Sequence, residues 1–180
     1  MTSEQPSLGG LTIKTIAVHT ITYFVMGLLA FNLFDYAGLF AQPGLAGFFR
    51  QTDDPIIAAG PLLQPIRGAL FALALYPLRE VLFGRRYGWL ILWWLLVALG
   101  ILSTFGPSPG SVEGLIYTRV SIADHLRGLP EVLLQSLLLS TLLYYWVRHP
   151  GAKWLNWTMG VAFAIAVLLP ALGLALALSQ

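Results

Sequence analysis

Four long stretches of this chain carry no formal charge: residues 15–34, 87–112, 132–147 and 154–180. An α-helix rises about 1.5 Å per residue, so about 20 apolar residues cross the roughly 30 Å hydrocarbon core of a bilayer. Three of the stretches reach or approach that length. The run 132–147 is completed by Leu129, Pro130 and the ends of its neighbours. Composition points the same way: the 180 residues are 57% hydrophobic and 10% charged, whereas a soluble domain carries about 25% charged residues. So much apolar surface cannot stay in water as a disordered chain either.

The expected fold is therefore an all-α integral membrane protein, a single transmembrane domain over 1–180. It is a bundle of five helices near 12–35, 60–83, 87–105, 130–148 and 154–177, preceded by a short polar tail, 1–11. The first helix reads as a retained span. Its apolar run exceeds that of a signal peptide, and no basic residue precedes Lys14. The second is the exception, because Arg67 and Arg79 leave only 68–78 charge-free. Extending it through Pro61, Leu62 and Leu63 supplies the length but sets Arg67 in the outer part of the bilayer. A lone guanidinium there costs at least ~2.5 kcal/mol on insertion scales, so it needs a partner or a polar cavity.

Orientation follows from Lys and Arg in the short connections. With the N-terminus cytoplasmic, Lys14, Arg79, Arg85, Arg86, Arg148 and Lys153 lie inside, while Arg50, Arg67, Arg119 and Arg127 lie outside. Two tight basic hairpins, at Arg85-Arg86 and at Arg148 to Lys153, share the inner side. The expectation is a multi-pass protein of the cell membrane with its N-terminus in the cytoplasm and Gln180 outside. Trp89, Trp93, Trp94, Trp146, Trp154 and Trp157 are expected near helix ends on that inner side, as headgroup anchors.

Two longer outer connections should carry short interfacial helices. The first, about 37–59, has breakers at Pro43-Gly44 and Asp54-Pro55 around an apolar LAGFF piece. The second, about 106–129, opens with GPSPGS and continues into a segment where Ser121 and Asp124 form a capping box for a helix ending at Gly128. Its mixture of apolar and charged residues predicts an ordered lid over 110–129, packed down on the bundle. Small residues at helix-contact spacing, Ser136 with Ser140 and Gly160 with Ala164, suit close packing in lipid.

Most ionisable groups converge on the outer side. Arg67, Glu113, Arg119, Asp124, His125, Glu131 and Gln135 are the expected ligand-binding residues of an outward polar pocket, with Arg67 at its floor. Glu131 and Gln135 are four apart and share a helix face. Glu131 also sits in the first turn after Pro130, where a carboxylate complements the helix dipole. The alternative role for Arg67 is to staple helices through an ion pair with Asp35 or Glu131. On the first helix Thr15, His19 and Thr22 form a polar stripe that could reach Glu80. Ser121 and His125 are four apart, yet Asp124 cannot orient His125 from the adjacent position, and no G-x-S-x-G elbow exists. There is no cysteine, and His19, His125 and His149 lie on three segments with no H-E-x-x-H, so no catalytic, metal or cofactor site is expected.

Ten basic residues against eight acidic ones leave no nucleic-acid footprint. The expected partners are membrane lipids, with a homo-oligomer or a larger membrane complex as the assembly. Three functional readings remain open. The preferred one is binding of a small or amphiphilic ligand, lipid-like or anionic, in the outward pocket of a transport, sensory or assembly subunit. The others are a membrane-embedded enzyme using acid/base chemistry on a lipophilic substrate, and a structural subunit of a larger complex.

Overall fold

The computed structural model describes residues 5–42, 45–47 and 49–179. The breaker Pro43-Gly44, the terminal Gln180 and the first four residues of the polar tail lie outside them. The chain is all-helical, 77% helix, without strands among the described residues. Helix α1 spans Leu8–Leu33, and its start at Leu8 extends the expected helix backward because the Ser7 hydroxyl caps it, accepting from the Gly10 N–H at 3.2 Å. Short helices α2 (Tyr36–Phe40) and α3 (Pro55–Ala58) occupy the first long connection.

The second expected helix is interrupted. Helix α4 covers Gly60–Leu75, a 3₁₀ turn covers Tyr76–Leu78, and α5 covers Arg79–Gly84. Pro77 sits in that turn and has no N–H for the helical ladder, which is the physical cause of the break. Helix α6 (Gly88–Val97) continues as a π-helical turn, Ala98–Leu102, and stops before GPSPGS. The second connection folds into α7 (Val112–Tyr117) and α8 (Ile122–Arg127), after which α9 (Leu129–Arg148) and α10 (Lys153–Leu178) complete the chain.

Among the described residues three helices are long and apolar enough to cross a membrane: Leu8–Leu33, the nearly continuous Ile122–Arg148, and Lys153–Leu178. The outer surface agrees with them. Leu70, Leu99, Trp157 and Leu172 are each at least 60% exposed, and only Leu155, Met159 and Ala166 of α10 are buried. Apolar surface on that scale belongs in lipid, and the chain is a membrane-associated helical bundle.

Helix α1 is the hub. It packs against α4, α9 and α10, while α6 packs against α9. Ala17–Thr22 are six consecutive buried residues, so α1 shows no solvent or lipid face there. Gly68 of α4 allows the closest approach: a Cβ at that position would lie 2.7 Å from the Ile16 Cα. Ser136 and Ser140 are buried on α9, their hydroxyls donating to the Leu133 and Ser136 carbonyls. Gly160 and Ala164, by contrast, line an open groove on α10 instead of a helix contact.

One end of the bundle is tied by polar contacts between its two hairpins. The Tyr144 hydroxyl lies 2.9 Å from both the Arg85 and Arg86 carbonyls and accepts from Arg148 at 2.6 Å. Trp146 donates to Asn156 Oδ1 at 2.6 Å, and Lys14 donates to the Trp146 carbonyl at 2.9 Å. Trp93 departs from the expected inner-end position: its indole donates to the Leu133 carbonyl at 3.2 Å, near the start of α9.

Candidate functional site

At the opposite end of the bundle the connections fold over the start of α9. Asp35 turns the chain out of α1 by accepting from the Gly38 N–H at 2.9 Å, and this cap makes Tyr36 the first residue of α2. Tyr36 thereby reaches across to α9, where Pro130 has placed Glu131 in the first helical turn. The phenol donates to the Glu131 carboxylate at Oε2. Burial and this carboxylate push the Tyr36 phenol above its ordinary range, so it stays protonated and remains the donor.

Glu131 is the common wall of three cavities. The largest, about 780 Å³, lies between the second half of α1, the α2–α4 connection and Leu169-Pro170 of α10. Tyr23, Phe24, Phe31, Tyr36, Phe40 and Phe49 give it an aromatic lining, and Arg50 and Glu131 are its charged members. Phe40 and Phe49 stack at 5.1 Å across the connection. Arg50 is held on the first long connection by Asp54 at 2.7 Å. Asp54 caps α3 as well, and the Ile56 N–H together with Arg50 holds its carboxyl below the usual range.

A second chamber of about 310 Å³ lies deeper and shares Tyr23 and Glu131 with the first. Arg67, His19, Gln135 and Ser136 line it from three helices. A third, about 250 Å³, is bounded by Tyr36, Leu39, Leu45, Val120, Asp124 and Glu131. The expected binding residues thus divide. Arg67, Glu131 and Gln135 meet in one chamber, and Asp124 joins Glu131 in the next. Glu113, Arg119, His125 and Arg127 line none of the three.

Two expectations about charges need correction. Arg67 forms no ion pair with Asp35 or Glu131; the ion pairs among the described residues are Arg50–Asp54 and Arg127–Asp124, the latter at 3.4 Å. Asp35 is exposed and committed to its cap, which draws it away from α4. The Arg67 guanidinium instead lies 5.4 Å over the Phe71 ring. Phe71 in turn meets the His19 ring edge-on at 4.9 Å.

The polar stripe of α1 behaves differently from expectation too. Thr15 and Thr22 donate back to the Leu11 and Val18 carbonyls of their own helix. His19 alone crosses to a neighbour, and that neighbour is Gln64 of α4 at 3.0 Å, not Glu80. Because Gln64 Nε2 donates to the Gly60 carbonyl, its Oε1 accepts from His19 Nε2, so a neutral His19 carries its proton there. His19 Nδ1 is then a buried acceptor without a partner among the described residues.

His125 has a structural post. Its side chain is buried, Nδ1 accepts from the Gly110 N–H at 2.9 Å, and Nε2 lies 3.3 Å from the Thr118 hydroxyl. Gly110 has φ +85°, a conformation that favours glycine, and its turn delivers the N–H to the imidazole. Ser121 does not touch this ring; it caps α8 through the Asp124 N–H at 3.1 Å, as the capping box predicts. The segment is ordered by His125, but Val112, Leu115, Ile116, Ile122 and Leu126 point outward instead of down on the bundle. An interfacial segment can place apolar side chains in lipid, which removes the reason to bury them.

Tyr23, Tyr36 and the Phe24–Phe31–Phe40–Phe49 lining were not among the expected site residues. Their only sequence signal is aromatic density in 23–49, which in a membrane chain resembles ordinary lipid-facing surface. Comparison with protein-family models, with curated protein sequences and with solved structures finds no match.

Proposed function

We propose that this chain is a five-span membrane protein, N-terminus cytoplasmic and C-terminus outside, that binds an amphiphilic ligand at its outer end. The observation that carries the reading is the position of Glu131. It stands between a large aromatic cavity suited to an apolar tail and a smaller polar chamber suited to a headgroup. A structural subunit needs neither space. Five spans fit if Gly60–Gly84 crosses despite its break and the short Gly88–Leu102, packed on α9, crosses where the bilayer thins locally. The basic hairpins then share the cytoplasmic side and the cavities face outward.

Gly27 offers a direct test. It lines the large cavity, and a Cβ there meets no atom within 4 Å, so a bulky side chain can enter the space without disturbing α1. The expected result is that Gly27→Trp loses binding of a fluorescent acyl-chain probe at least tenfold while its thermal midpoint stays unchanged. Undiminished binding in Gly27→Trp would refute the assignment of this cavity.

A further inference from the structure

Arg67 and Glu131 line the same chamber, carry opposite charges, and do not pair with each other. Arg67 is exposed and Glu131 half-buried on the walls of this chamber, and two opposite charges held apart at membrane depth call for something between them. Among the described residues Arg67 has no carboxylate within ion-pair distance, and its guanidinium offers five donors in a planar fork. Glu131 has given Oε2 to Tyr36 and keeps Oε1 as an acceptor. Gln135, one helical turn along, adds a further amide to that wall.

We propose that the chamber binds a zwitterionic headgroup, its anion at Arg67 and its primary ammonium at Glu131. A purely anionic head would satisfy Arg67 but face the Glu131 carboxylate across about 310 Å³. A neutral head would satisfy neither charge. A primary ammonium fits the acceptor wall because it brings N–H donors, which a quaternary ammonium lacks. This inference rests on the amphiphile reading, with the acyl tail in the aromatic cavity beyond Tyr23.

Headgroup preference is read by native mass spectrometry titrations of the full chain in mild detergent. The probes are lysophosphatidylethanolamine, lysophosphatidylglycerol and monoacylglycerol of one chain length, and glycerophosphoethanolamine without a chain. The zwitterionic lysolipid should bind at least tenfold more tightly than the other two lipids. Glu131→Gln should erase its advantage over the anionic lysolipid, and Arg67→Gln should weaken both of these without affecting monoacylglycerol. Equal wild-type affinity for the three lipids, or a preference that survives Glu131→Gln, overturns the headgroup assignment and leaves the amphiphile reading standing. If glycerophosphoethanolamine binds as tightly as its lysolipid, the headgroup assignment holds and the tail cavity is refuted. Failure of every probe on the wild-type chain overturns both. The wild-type ranking decides the matter even if a variant fails to fold.

Discussion

Gly68 occupies a point on α4 where no side chain fits. Its missing Cβ would lie 2.7 Å from the Ile16 Cα and 3.3 Å from the Thr15 carbonyl, both backbone atoms that cannot swing aside. Helix propensity alone would make Gly68→Ala stabilising by about 1 kcal/mol. Overpacking opposes it by roughly 1–3 kcal/mol and should win, because the obstacle is a helix backbone. A lowered thermal midpoint for Gly68→Ala is therefore expected in detergent; a raised one would mean that α1 and α4 do not meet as described. This contact was illegible in sequence. Gly68 belongs to no small-residue pair considered there, while the conspicuous Gly160–Ala164 spacing faces an open groove.

Among the elements, the second long connection carries the clearest local device. Gly110 turns its N–H into His125, and His125 thereby holds α7 and α8 as one ordered unit. His125→Ala leaves the half-buried Gly110 N–H without its acceptor, at a cost of about 1 kcal/mol. Amide exchange across α7 and α8 should quicken by about tenfold or more while α9 stays protected; unchanged exchange would show that the imidazole does not hold the segment. The helices themselves were readable, because charge-free length and the Ser121 capping box are local signals. The break at Pro77 was less so, since a proline can equally kink a continuous helix. The outward orientation of the apolar residues on α7 and α8 was not legible for one reason: in lipid, an outward Leu or Ile carries no penalty.

For the whole molecule, the two hairpins bound together by Tyr144 define one end and the cavities define the other. The chain contains no cysteine, so single substitutions report topology without a background. Arg119→Cys, at an exposed site on the proposed outer side, should react with an impermeant maleimide added to intact cells. Gly151→Cys, in the Arg148–Lys153 hairpin, should react only after permeabilisation. The reverse pattern would invert the orientation. Charge convergence in the sequence pointed to the end of the bundle where the cavities meet at Glu131. Which charges meet was not legible, because the Asp35 cap and the Tyr36–Glu131 bond depend on how the connections fold back. The central claim, an amphiphile held beside Glu131, is tested most directly by native mass spectrometry of the chain as purified in mild detergent. The wild-type protein should carry a bound amphiphile of defined mass that is depleted in Gly27→Trp; a wild-type chain that flies bare, or a variant that carries as much, would contradict amphiphile binding beside Glu131.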